Sequence, residues 1–259
     1  MSDALTHECG IALVRLKKPL SYFHEKYGSA LYGINKMYVL MEKQHNRGQD
    51  GAGLANIKLD MPPGKRYISR YRSNDKTPIQ DLFERINQRV YDGLEGDDSK
   101  IHDADWLKEN VPFMGELYLG HLRYGTYGGN SIESIHPFLR QNNWLTRNLI
   151  LAGNFNMTNV KELFQNLVDL GQHPKEYTDT ITIMEKIGHF LDDDVSKIYK
   201  DLKKEGYSKH ECSPLIAERL KVHKILKRAA KNWDGGYAMA GLLGHGDSFV
   251  LRDPAGIRP

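Results

Sequence analysis

Apolar positions along the chain follow two spacings. Residues 10–16, G-I-A-L-V-R-L, form a short apolar run punctuated by Gly10, which predicts a buried strand. From about 25 to 45, Tyr27, Ala30, Leu31, Ile34, Met37, Tyr38, Leu40 and Met41 recur mostly at three- and four-residue steps, predicting one helix with a buried face. That pattern stops at the glycine-bearing N-R-G-Q-D-G-A-G. Further strands are predicted near 52–58, 66–71, 117–124 and 148–155, and a closing pair at 237–243 and 249–253 is joined across G-H-G-D-S. Helices are predicted at about 157–170, 179–191, 194–204 and 213–231. The charged segment from about 77 to 112 has a helical pattern around a solvated loop, G-L-E-G-D-D-S-K, and reads as a peripheral insertion.

Strands therefore come in adjacent pairs at both ends, with helices grouped between them. This predicts an α+β fold of antiparallel sheets covered by helices, and argues against the strict strand–helix alternation of a doubly wound sheet. No internal repeat or low-complexity segment is present. The final D-P-A-G-I-R-P is turn-rich, and the chain is expected to be the first part of something longer.

Composition narrows the function classes. At 259 residues with 40% apolar and 10% aromatic content, the chain can bury a sizeable core. Its formal net charge of +3, from 36 basic and 33 acidic residues, is too small and dispersed to argue for nucleic acid or an anionic membrane. Two cysteines cannot make a disulfide framework, which sets the expectation of a reducing, cytoplasmic setting. The opening M-S-D-A-L-T-H-E has no basic n-region and no long apolar run, so it is not a secretory signal.

Both cysteines follow the same pair of residues: His7, Glu8, Cys9 and His210, Glu211, Cys212. A zinc site would need ligands spaced by two to five residues, which these triplets do not provide, so no metal is expected. Cys212 reads as a half-buried thiol near a helix start. Asp192, Asp193 and Asp194 could hold a hard cation, but a carboxylate run at a helix start more often serves the macrodipole. For Cys9, position alone leaves open a packed core thiol and a nucleophile. If residues 1–8 were removed, its freed α-amine, with an ordinary pKa of about 7.7–8.0, would lie on the same residue as a thiol of about 8.5. One residue would then hold both nucleophile and base.

Several ordered segments shift that balance: C-G-I at 9–11, R-G-Q-D-G-A-G at 47–53, G-H-L-R-Y-G-T at 120–126, H-P-F at 136–138, N-F-N-M-T-N at 154–159 and T-D-T at 178–180. Together they resemble the motifs of class II glutamine amidotransferase domains. W-D-G-G-Y-A near 233 and F-V-L-R-D-P-A-G-I-R-P at the end are similar to amidophosphoribosyltransferases within that class. The similarity spans the chain apart from residues near 77–112 and the longer helical part near 190–215.

The resemblance implies the N-terminal nucleophile hydrolase fold, a four-layer αββα sandwich of two antiparallel sheets. It implies a propeptide at 1–8, an amidotransferase domain at 9–259, and a phosphoribosyltransferase domain beyond this chain. It makes Cys9 the nucleophile that forms a thioester with glutamine, Asn154 the side-chain oxyanion donor and Phe155 the backbone donor. Arg123, helped by Thr126, would hold the substrate α-carboxylate, Asp179 the α-amine, and Arg47 would shape the pocket. Two departures stand out: Phe155 occupies the usual place of a glycine, which would strain it if positive φ were required, and Q-H-N-R-G-Q-D carries one extra residue before Arg47. The implied partners are glutamine and an ammonia-accepting synthase domain, with phosphoribosyl pyrophosphate giving phosphoribosylamine for purine synthesis, and a homo-oligomer in the full-length protein. No nucleic acid, membrane or cofactor is implied here, magnesium belonging only with the phosphoribosyltransferase domain. The alternatives are another acceptor, such as a sugar phosphate, and a non-catalytic glutamine-binding or assembly module that keeps Cys9 masked.

Overall fold

A computed structural model describes residues 8–125 and 131–258 of the chain. Two compact units follow one another, the first ending at Phe138 and the second beginning at Leu139.

The first unit holds strands β1 (Gly10–Arg15), β2 (Gly51–Ile57), β3 (Ile68–Ser73) and β4 (Leu117–Arg123), ordered β1-β4-β2-β3. Every pairing is antiparallel, with β1 opposing Gly10 to Leu122 and β2 opposing Gly51 to Arg123. β4 and β2 are buried along their whole length. Helices α1 (Leu20–Tyr27), α2 (Tyr32–Glu42), α3 (Pro78–Gly93) and α4 (Ala104–Asn110) complete the unit. The single helix expected over 25–45 is two helices. Gly28, at φ 74°, takes the left-handed conformation that ends α1 and returns its N–H to the His24 carbonyl at 2.8 Å.

The segment expected as a peripheral insertion is also different. Leu82, Ile86 and Val90 of α3 and Leu107 of α4 are fully buried in one core cluster with Met37 and Met41 of α2 and Leu54 of β2. Its high charge belongs to the solvent face only; the apolar face at helical spacing is what closes the unit's core.

In the second unit, β5 (Phe138–Arg140), β6 (Leu149–Met157), β7 (Gly235–Leu243) and β8 (Ser248–Arg252) lie in the order β5-β6-β7-β8, β5 beginning on the first unit's last residue. β6–β7 and β7–β8 pair antiparallel. The helices are α5 (Val160–Asp169), α6 (Asp179–Lys204), α7 (Lys209–Arg219) and α8 (Val222–Ala229). The α+β class and the two antiparallel four-stranded sheets agree with the sequence pattern.

Three local expectations change here. The two helices expected at 179–191 and 194–204 are one 26-residue helix. Asp192 and Asp194 therefore lie mid-helix, not at a start, and their charge is taken up by Arg140 and Arg228, each at 2.6 Å. The helix expected over 213–231 is divided into α7 and α8 at Leu220 and Lys221. Cys212 is fully buried in the first turns of α7, whose start is closed by reciprocal bonds between Ser208 and Glu211. No helix among the described residues is long and apolar enough to cross a membrane.

Leu82→Ala should cost about 2–5 kcal/mol, the range for truncating a fully buried leucine. Urea unfolding measures it; a cost below about 0.5 kcal/mol, as for an ordinary surface change, would make the segment peripheral after all.

Candidate functional site

Cys9 lies one residue before β1, half-buried. Its Sγ is 3.5 Å from the backbone N of Tyr124 and 4.0 Å from the Tyr124 carbonyl oxygen. The β1–β4 register explains this, because Gly10 opposes Leu122 and the chain just outside each strand end continues side by side.

Arg47 closes the other side. A single 3-10 turn, His45–Arg47, follows the end of α2 at Glu42. From there the Arg47 Nε donates to the Cys9 carbonyl at 3.4 Å. The next residue must be glycine. A Cβ on Gly48 would stand 2.6 Å from the Arg123 carbonyl carbon and 2.7 Å from its oxygen, both rigid backbone of β4.

Arg123, at the end of β4, is 7% exposed. Its carbonyl accepts from the Asp50 N at 3.0 Å, and the Asp50 Oδ2 accepts from the Gly125 N at 2.7 Å. The loop after β4 is thus tied to R-G-Q-D at two points. Cys9, Arg47 and Arg123 are brought together around Tyr124 and Asp50, two residues that their types did not single out. Asp50 could have been found, since it stands inside the R-G-Q-D-G-A-G motif; Tyr124 acts through its backbone and leaves no side-chain signal. Thr126 lies outside the described residues, as do residues 1–7.

The second unit gathers Asn154, Phe155 and Asp179. Asn154 and Phe155 are half-buried on β6, opposite Ala238 and Tyr237 of β7. Phe155 is not among the residues of positive φ, so the strain expected of a side chain at that position does not arise. Its ring lies back over Gly153, where an added Cβ would be 2.5 Å from Phe155 Cζ. Strand alternation puts Asn154 on the opposite face.

Asp179 opens α6, where a carboxylate is favoured by the helix dipole. The cap itself is Thr178, whose Oγ1 accepts from the Ile181 N at 3.2 Å. That leaves the Asp179 Oδ2 to accept from the Met157 N at 2.9 Å, tying the start of α6 to the end of β6. W-D-G-G-Y-A braces the same end. Thr158 donates to the Asp234 carboxylate, and the Asn159 Nδ2 donates to the Asn232 carbonyl at 2.8 Å. Gly235, at φ 110°, passes where a Cβ would meet the Asn156 carbonyl oxygen at 2.3 Å.

D-P-A-G-I-R-P is organised by Asp253, 4% exposed. Burial pushes its pKa up, but the N–H groups of Ile257 (2.8 Å), Arg258 (3.2 Å) and Tyr237 (3.2 Å) outweigh this and hold the carboxyl below its usual value. Among the described residues no group of three or more His, Cys, Asp or Glu is arranged to hold a metal ion.

No family model matches the chain. It is similar to the amidophosphoribosyltransferase of Lacticaseibacillus casei, 30% identical over 216 residues, a match covering 83% of this chain and 80% of that protein. Amidophosphoribosyltransferases of Pasteurella multocida (24% identical) and Methanothermobacter thermautotrophicus (26%) each match 86% of this chain, which spans about a third, 34%, of their length. Among solved structures, the glutamine phosphoribosylpyrophosphate amidotransferase from B. subtilis complexed with ADP and GMP covers 96% of this chain, which in turn covers 38% of it, at a TM-score of 0.53 and 20% identity. A structure described as the allosteric regulatory enzyme of purine biosynthesis has the same score and identity. These two likenesses bear on the fold.

Gly48→Ala should destabilise the protein by about 1–3 kcal/mol, because neither backbone can yield to the new methyl; thermal unfolding reads the loss, and an unchanged midpoint refutes the close approach. Asp253 predicts a pH dependence. Its folded pKa lies below the unfolded value, so its stabilisation is present above about pH 4 and is lost as pH falls through the folded pKa. The stability gap between wild type and Asp253→Asn should therefore be full at pH 7 and shrink toward pH 3; a gap independent of pH would contradict the assignment.

Proposed function

The chain belongs to the amidophosphoribosyltransferase family, and from that premise we propose that it hydrolyses glutamine to glutamate and ammonia with Cys9 as nucleophile. The observation that carries this reading is the setting of Cys9: a half-buried thiol one residue before β1, the edge strand of the first unit's sheet, with a backbone N–H 3.5 Å from its sulfur and Arg47 on its carbonyl.

Chemistry requires a base. Cleavage of the Glu8–Cys9 bond frees an α-amine that takes the thiol proton. The thiolate then attacks the side-chain carbonyl carbon of glutamine. The resulting oxyanion is assigned to the Asn154 side-chain N–H and the Phe155 backbone N–H. Collapse breaks the carbon–nitrogen bond, ammonia leaves with the transferred proton, and water hydrolyses the Cys9 thioester to glutamate. Arg123 is assigned to the substrate α-carboxylate, for which a planar guanidinium offers two parallel hydrogen bonds. Asp179 is assigned to the α-ammonium, and Thr126 to the same carboxylate as Arg123. In the longer protein, ammonia passes to a synthase domain, where phosphoribosyl pyrophosphate is the acceptor and phosphoribosylamine the product.

Cys9→Ala should reduce glutamine hydrolysis by the processed protein to background, with the fold unchanged by circular dichroism. Asn154→Ala should lower kcat roughly 100- to 1,000-fold, the usual loss for one oxyanion donor. Undiminished hydrolysis by Cys9→Ala overturns the proposal. Intact-mass measurement with a glutamine-analogue electrophile adds the processing state: a chain that retains residues 1–8 and never takes up the label is a glutamine-binding module instead.

A further inference from the structure

The dispersed net charge of the whole chain conceals a local concentration. From Arg219 to Lys231 the sequence carries six Lys and Arg residues and no acidic one. In α8 the apolar Ile225, Leu226 and Ala229 turn inward and are buried, so helical spacing leaves Lys224, Lys227 and Arg228 on the solvent side. Facing them, the second half of α6 contributes Lys197 and Ile198, and the end of α7 contributes Arg219. Together they line a groove of about 700 Å³, a size suited to a small-molecule ligand.

The two guanidinium groups in this groove are already engaged. Arg219 makes a bidentate pair with Glu205 at 2.7 and 2.8 Å. Arg228 binds Asp194 at 2.6 Å and lies over the Phe190 ring at 4.8 Å. By contrast, Lys197, Lys221, Lys224, Lys227 and Lys231, all of them lining the groove, have no carboxylate within 4 Å among the described residues. Two carboxylates also line the groove, Asp194, which Arg228 holds, and Asp201; the five lysines outnumber them, so the concave surface keeps a net positive charge that favours an anion.

The chemistry of that anion follows from what the groove offers. Its free donors are lysines, compact point charges with rotatable N–H groups, which bind phosphate well but lack the fork that fits one carboxylate. Among the described residues no aromatic side chain lines it, so they offer no base-stacking platform there. We infer that this groove binds a contiguous run of phosphates, supplied by inorganic polyphosphate or by the tail of a nucleoside triphosphate. Within the second unit the groove stands apart from Asp179, the residue assigned to the glutamine α-ammonium. Lys197 lies eighteen positions along α6 from Asp179, about 27 Å at 1.5 Å per residue. It is also built partly on the helical segment near 190–215 that lies outside the amidotransferase motifs, and it does not rest on the glutaminase reading.

Titration calorimetry of the purified protein against tripolyphosphate, ATP and orthophosphate, at near-physiological salt, tests the inference. Tripolyphosphate should bind at one site, weakening as salt rises, with orthophosphate roughly tenfold or more weaker because it bridges fewer lysines. Equal affinities for ATP and tripolyphosphate assign the phosphate run itself as ligand; much tighter ATP binding assigns the nucleotide as its source. Lys224→Gln/Lys227→Gln/Lys231→Gln, and separately Lys197→Gln/Lys221→Gln, should each weaken tripolyphosphate roughly tenfold, about 1.4 kcal/mol, with the melting temperature unchanged. Absence of binding overturns the inference, as does full affinity in both variants. Duplex DNA or phosphatidylserine vesicles binding more tightly than tripolyphosphate would also overturn it.

Discussion

Strand β4 has no free side. Both of its edges are paired, to β1 and to β2, and all seven of its residues are buried. A strand held in this way cannot shift its register without exposing apolar side chains and breaking two ladders. Everything around Cys9 is placed against it. The sulfur meets the Tyr124 backbone because β1 and β4 end together, and Asp50 grips the loop after β4 because β2 starts opposite Arg123. Arg47 is directed at the Cys9 carbonyl because Gly48 presses flat on the Arg123 carbonyl. The polar groups are therefore supported by rigid backbone, the condition for holding a reacting group in one geometry.

The second unit uses a different device, one long helix. α6 begins at Asp179, whose carboxylate takes the last N–H of β6, and it runs 26 residues to a half that lines the basic groove. Between those ends Asp192 and Asp194 hold Arg140 and Arg228. Carboxylates that would be costly in mid-helix as isolated charges are here the means by which β5 and α8 are fastened to it. The two ends of one helix thus carry charge of opposite sign: a carboxylate at its start, and an ammonium group, Lys197, in the half that lines the groove.

Motif order and the family resemblance, not residue type, are what single out Cys9, Arg47, Arg123, Asn154, Phe155 and Asp179 in the sequence. Their partners are not singled out. Tyr124 and Met157 act through backbone N–H groups, which every residue but proline carries, so side-chain identity holds no trace of them. Phe155 looked like a source of strain because a substitution at a glycine position says nothing about φ; in the fold it is an ordinary strand residue with its ring over Gly153. The basic groove was invisible for another reason. Net charge averages over the chain, and the groove is assembled from three helices whose lysines are separated by up to 34 positions, from Lys197 to Lys231.

What the sequence determined by itself is what local sterics and periodicity control. Strand positions, the α+β class and the turn residues follow from alternation, from glycine and from capping, each decided within a few residues. Only tertiary structure decided whether a charged helical segment lies outside or closes a core, as α3 and α4 do. It alone decided whether Asp192 and Asp194 cap a helix or pair with arginines from β5 and α8, and which backbone groups face Cys9. The physical reason is the same in each case. Burial and ion pairing depend on what stands opposite a residue in space, and the opposing group is set by sheet register and helix packing between segments far apart in the chain.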